Sequence, residues 1–91
     1  MDPVELVKNG NYFELVIQLI NGLDPNYKEE EVSLLHYAVV YNQYDIAKLL
    51  INWGANPDLE DVLLEESPRN FAYQIKDYDF IEILCISLNF L

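Results

Sequence analysis

The 91 residues of this chain are enough for one domain with a modest core, and a hydrophobic fraction of 52% can fill it, which excludes a disordered chain despite a net charge of −11. Sixteen acidic against five basic residues repel nucleic-acid phosphates and anionic membranes and favour a cationic partner, although acids also serve solubility. A single cysteine excludes an internal disulfide and fits a reducing, cytoplasmic setting.

The first element is a short helix from Pro3 to about Asn9. Asp2 can cap it, Pro3 suits its first turn and Glu5 can reach back to the cap. The acidic start, Met1-Asp2-Pro3-Val4-Glu5, does not read as a secretory leader. After Gly10, Leu15, Val16, Leu19 and Ile20 give the i, i+4 stripe of a second helix, closed by Gly22-Leu23-Asp24-Pro25-Asn26. Residues 26–32 then read as a solvated, hairpin-like finger.

The pattern repeats. A helix is expected from about Leu34 to Tyr41, a left-handed turn at Asn42 and a helix from about Tyr44 to Asn52. Ile46, Leu49 and Leu50 form the apolar stripe of the latter, and Gly54-Ala55-Asn56-Pro57-Asp58 repeats the closing turn. A second finger, residues 58–66, carries the Leu63-Leu64 pair. Ser67 as cap with Pro68 behind it starts a further helix, and Phe80, Ile83 and Leu84 mark its partner. The apolar tract from Phe80 to Leu91, broken by Glu82, Ser87 and Asn89, is too short and polar to span a bilayer. No stretch alternates long enough for a strand of a larger sheet, so the expected class is all-α.

A unit recurring about every 33 residues is a stacking element, unable to bury its apolar face without a neighbour. Ser33-Leu34-Leu35-His36-Tyr37-Ala38 stands where ankyrin repeats carry T-P-L-H-x-A, and Asp45-Ile46-Ala47-Lys48-Leu49-Leu50-Ile51 follows their second helix. Ser67-Pro68-Arg69-Asn70-Phe71-Ala72 and Asp79-Phe80-Ile81-Glu82-Ile83-Leu84-Cys85 are a weaker copy. The chain therefore resembles the ankyrin repeat family over nearly its whole length, best at its centre. The resemblance implies an all-α ankyrin-repeat solenoid, one domain of residues 1–91, with repeats of about 1–26, 27–60 and 61–91.

It also implies where binding occurs. In that architecture the fingers and the exposed side of each first helix form one concave surface, which here maps to Glu29, Glu30, Val32, Val40 and Tyr41 in the central copy. The third copy supplies Leu63, Leu64, Glu66, Gln74 and Ile75, and the first little beyond Lys8 and Asn9. Together these residues describe an apolar strip (Val32, Val40, Tyr41, Leu63, Leu64, Ile75) inside an acidic rim of Glu29, Glu30, Glu31, Glu60, Asp61, Glu65 and Glu66. Tyr41 is the expected anchor. The competing reading tucks Val32 and the leucine pair beneath the fingers.

No catalytic set is evident, and the chain is expected not to be an enzyme. The one histidine, His36, sits at the T-P-L-H position, where the resemblance implies that the imidazole ties adjacent turns by bonding backbone. Cys85 lies on an apolar stripe, where packing outweighs thiol chemistry. Glu29-Glu30-Glu31 and the Asp58, Glu60, Asp61 group lack calcium-loop spacing, so no metal or cofactor is expected. Tyr12, Tyr44 and Tyr78 recur at the start of each second helix and are expected to pack between repeats, while Trp53 is expected to cover the neighbouring turn.

Four functions remain in view from the residues alone. The first is an acidic inhibitor or immunity-type protein that neutralises a basic partner, such as a toxin or nuclease. The second is an adaptor binding a non-basic surface through its apolar patch, and the third an acidic nucleic-acid mimic. A monomer is expected, with Phe90 and Leu91 offering a fourth possibility, a dimer through the last helix.

Overall fold

Three side chains start the helices of an inner layer. In the computed structural model, which describes residues 2–59 and 67–86, Asp2 accepts from the Val4 N–H at 3.0 Å to open α1 (Pro3–Asn9). Ser33 accepts from the His36 N–H at 3.1 Å to open α3 (Leu34–Val40), and Ser67 from the Asn70 N–H at 3.1 Å to open α5 (Pro68–Gln74). Each hydroxyl or carboxylate satisfies a backbone donor that the first helical turn leaves without a partner.

The stops repeat as faithfully as the starts. Gly10, Asn42 and Lys76 follow the three inner helices with φ of 71°, 56° and 57°. Beyond them the N–H groups of Asn11, Gln43 and Asp77 donate to the carbonyls of Leu6, Ala38 and Ala72 at 2.9, 2.8 and 3.1 Å. These bonds close the helix ends and reverse the chain into the outer helices α2 (Tyr12–Ile20), α4 (Tyr44–Asn52) and α6 (Tyr78–Ile86). Lysine at the third left-handed position is the costliest choice, since its Cβ is strained where glycine is free.

Helix pairs α1–α2, α3–α4 and α5–α6 stack through α1 on α3 on α5 in the inner layer and α2 on α4 on α6 in the outer. Between the layers lie Leu6, Val7, Leu15, Leu34, Leu35, Ala38, Val39, Ala47, Leu50, Phe80 and Leu84, all essentially inaccessible. Burying each large aliphatic side chain contributes about 1.5–3 kcal/mol, and no pair could achieve it alone. The closing turns also touch across repeats: the Asn56 N–H donates to Asn26 Oδ1 at 2.7 Å. Arg69 reaches back to Asp58, with Nε to Oδ1 at 2.7 Å.

Between the first two pairs projects a finger of β1 (Lys28–Glu29) and β2 (Val32–Ser33), antiparallel with Lys28 opposite Ser33 and Glu29 opposite Val32. Its two-residue turn is Glu30-Glu31, with φ of 52° and 68°. Such a turn matches strand twist but favours Asn-Gly, so two glutamates here store strain. The double variant Glu30→Asn, Glu31→Gly is expected to stabilise the fold by about 1–2 kcal/mol, read as a higher chemical-denaturation midpoint at unchanged slope. A lower midpoint would show that the strain argument is wrong.

Tyr44 bridges repeats, its ring stacked 4.3 Å from Phe80 and its hydroxyl 3.4 Å from Asp77 Oδ2, and Tyr12 lines the groove facing α4. Tyr12 is 38% exposed, whereas Tyr78 is 71% exposed, which corrects the expectation that it packs between repeats. Trp53 ends α4 with its N–H on the Leu49 and Leu50 carbonyls, and its side chain is 43% exposed. The expectation for Cys85 concerns a side chain outside the described residues.

Candidate functional site

The inner layer and the finger bring one aromatic and charged cluster together. Tyr37 on α3 and Tyr41, which caps its C-terminal end, stand one turn apart, because i and i+4 share a helix face. From α1, Lys8 lays its ammonium over both rings, 5.5 Å from the Tyr37 centroid and 5.6 Å from that of Tyr41. The register of α1 on α3 is held by Gln43, whose Nε2 donates to the Lys8 carbonyl at 3.2 Å. A cation over two ring faces is attracted by both quadrupoles.

Acid closes the cluster from the finger side. Loss of hydration pushes the Tyr37 phenol above its ordinary value; Lys8 opposes this, and Glu29 and Glu30 reinforce it. Glu29 itself is held above the usual carboxylate range, first by desolvation, then by a hydrogen bond with Asp2 and by the charges of Asp2 and Glu30, with Lys8 opposing. The folded form thus holds the Glu29 proton more tightly than the unfolded chain. That contribution to stability is present below the unfolded value and is lost as pH rises through the raised one.

Around this centre the expected surface is placed unevenly. Val40 and Tyr41 are 47% and 44% exposed, and one repeat further Ile75 is 46% exposed beside the exposed Gln74. Glu30 and Glu31 are exposed at the finger tip, and Glu29 is half-buried against α1. Val32 is only 9% exposed, so it is covered rather than part of an open apolar strip. Glu60, Asp61, Leu63, Leu64, Glu65 and Glu66 lie outside the described residues.

Three participants were missed by sequence reasoning. The sequence places Lys8 at the margin of the surface, yet its ammonium sits over both rings. Tyr37 was read only as the variable letter of T-P-L-H-x-A, although its i, i+4 spacing to Tyr41 was there to be seen. Tyr73, 51% exposed, stands where the central copy has the buried Val39. His36 is 1% exposed with its ring 4.9 Å from that of Phe71, so it lies within the stack rather than on the binding surface. Among the described residues no group of three or more His, Cys, Asp or Glu converges as a metal site, and no helix is long and apolar enough to cross a membrane.

Stacked helix pairs with capped starts, left-handed stops and a projecting finger define a solenoid that presents side chains along one face. Residues 5–61 match the family described as ankyrin repeats (3 copies), and the chain belongs to the ankyrin repeat family. It is 32% identical over 79 residues to an ankyrin repeat protein of fowlpox virus (strain NVSL), a match covering 86% of this chain and 18% of that protein. It is also 50% identical over 40 residues to the E3 ubiquitin-protein ligase hecd-1 of Caenorhabditis elegans, covering 44% of this chain and 2% of the ligase. The chain therefore spans less than a fifth of the length of either relative. Ankyrin repeats form a generally non-enzymatic module for binding other proteins, and that is the class of this chain. The family match ends at residue 61, so the third pair is recognised by its geometry: the Ser67 cap, the left-handed Lys76 and the Asp77-to-Ala72 bond.

Proposed function

We propose that this chain binds and neutralises a basic protein through its finger and inner-helix face, as an acidic inhibitor or immunity-type module. The observation that carries the reading is the cradle around Lys8. Two tyrosine faces and the finger acids Glu29 and Glu30 already accommodate an ammonium group supplied from within the chain. A lysine or arginine from a partner meets the same chemistry there, with desolvated cation–π contacts worth about 2 kcal/mol. Strain at Glu30-Glu31 supports it, since side chains kept where the backbone disfavours them serve something other than stability. A net charge of −11 then speeds encounter with a basic surface.

Lys8 competes with the partner for the two rings in this reading. Lys8→Ala is therefore expected to tighten binding of an oligolysine peptide about threefold to tenfold, measured by chemical-shift titration with perturbations at Tyr37 and Tyr41. Weaker or unchanged binding by the variant would remove the cradle from the account. An adaptor role toward a non-basic partner is the second reading, favoured by the exposed Val40, Tyr41, Tyr73 and Ile75. It predicts no response of Tyr37 and Tyr41 to oligolysine.

A further inference from the structure

Helix α2 turns an apolar stripe toward solvent. Phe13, Ile17 and Ile20 follow i, i+4, i+7 spacing and are 81%, 50% and 66% exposed, while Leu15 and Leu19 on the opposite side are buried against the inner layer. At the same register α4 carries Asp45, Leu49 and Asn52, and only the leucine is apolar and nearly covered, at 7% exposure. Phe13 is further set by an edge-on contact with Tyr12, ring centroids 5.8 Å apart, and both line the shallow groove between α2 and α4. Three large apolar side chains on one face of one helix, each at least half exposed, are an apolar patch of the kind from which interaction surfaces are built.

Its surroundings select the occupant. Glu14 lies beside the stripe on a helix without a basic residue, and Asp45 lies across the groove with Lys48 as its one cation. A second copy of this chain would bring two net charges of −11 together over less than the roughly 800 Å² per partner of a stable interface. A two-turn apolar ridge fits the groove face of another helix, whose anchors repeat at i, i+3 or i+4, and i+7. We propose that the outer face of α2 is a second docking surface, which takes an amphipathic helix with basic flanks from a partner protein. It lies in the outer layer, apart from the Lys8 cradle, and does not depend on that reading.

The probe is a synthetic amphipathic helix with leucines at i, i+4 and i+7 and lysines on both flanks, titrated into the isotope-labelled chain. Shifts are expected at α2 and the facing side of α4. Affinity should fall at least about tenfold in the Phe13→Ser, Ile17→Ser variant, and similarly when glutamates replace the peptide lysines. Both substituted residues are exposed, so cooperative thermal unfolding should persist, and Tyr41→Ala should leave this peptide's affinity unchanged. Shifts confined to α3 and the finger, equal binding of the glutamate-flanked peptide, or no binding would each overturn the proposal. So would a concentration-dependent dimer abolished by Phe13→Ser, because a second copy would then cover the stripe.

Discussion

Phe80→Ala is expected to destabilise the protein by about 3–5 kcal/mol, the cost of truncating a fully buried aromatic ring. Phe80 is the point at which the third helix pair is keyed into the second. Its ring is stacked on Tyr44 of α4, and its N–H is held by Asp77, whose carboxylate also meets the Tyr44 hydroxyl. Truncation removes the ring, empties the space beneath α6 and strips Tyr44 of its stacking partner at once. Because repeats are coupled mainly to their neighbours, the loss should be felt first in α5 and α6. Amide exchange should accelerate there by more than tenfold while α1 to α4 remain protected. Uniform acceleration across all six helices would indicate one indivisible cooperative unit instead.

Tyr41→Ala is expected to weaken the proposed complex by about 2 kcal/mol or more while leaving stability within about 0.5 kcal/mol. Tyr41 follows the last residue of α3, its side chain is 44% exposed, and its ring is one of two faces over which the Lys8 ammonium rests. In a complex the ring would be desolvated near the centre of the face, between the finger acids and Ile75. Aromatic anchors in such positions dominate binding energy, whereas rim charges mostly alter encounter rates. Calorimetric titration checks the first figure and denaturant unfolding the second. A full loss of affinity accompanied by loss of fold would assign Tyr41 to the core.

Much of the fold was legible in the sequence because it is written in local rules. The caps Asp2 and Ser67, the left-handed Asn42, the turn glycines and the i, i+4 stripes each depend on residues within one or two turns. Lys76 was not legible as a third stop: lysine carries no left-handed preference, and only the repeated geometry identifies it. The interaction surface was less readable for the same reason in reverse. Whether Val32 is open or covered depends on how the finger leans on α3, and whether Lys8 is peripheral or central depends on where α1 places a long, flexible side chain. The outer stripe of α2 was not legible: the spacing groups Ile20 with Leu15, Val16 and Leu19 on one apolar face, whereas the structure buries Leu15 and Leu19 and leaves Ile20 66% exposed beside Phe13 and Ile17.

The central claim is that acid on the finger face serves capture of a basic protein. The measurement that tests it most directly is the association rate constant of a partner recovered by affinity capture, followed over ionic strength for the wild type and for the Glu29→Gln, Glu30→Gln, Glu65→Gln, Glu66→Gln variant. Steered association predicts a wild-type rate that falls steeply with salt, and a variant that associates about tenfold or more slowly at low salt with a much flatter dependence. Equal rates and equal salt slopes for the two proteins would contradict the account and leave the acids to solubility alone.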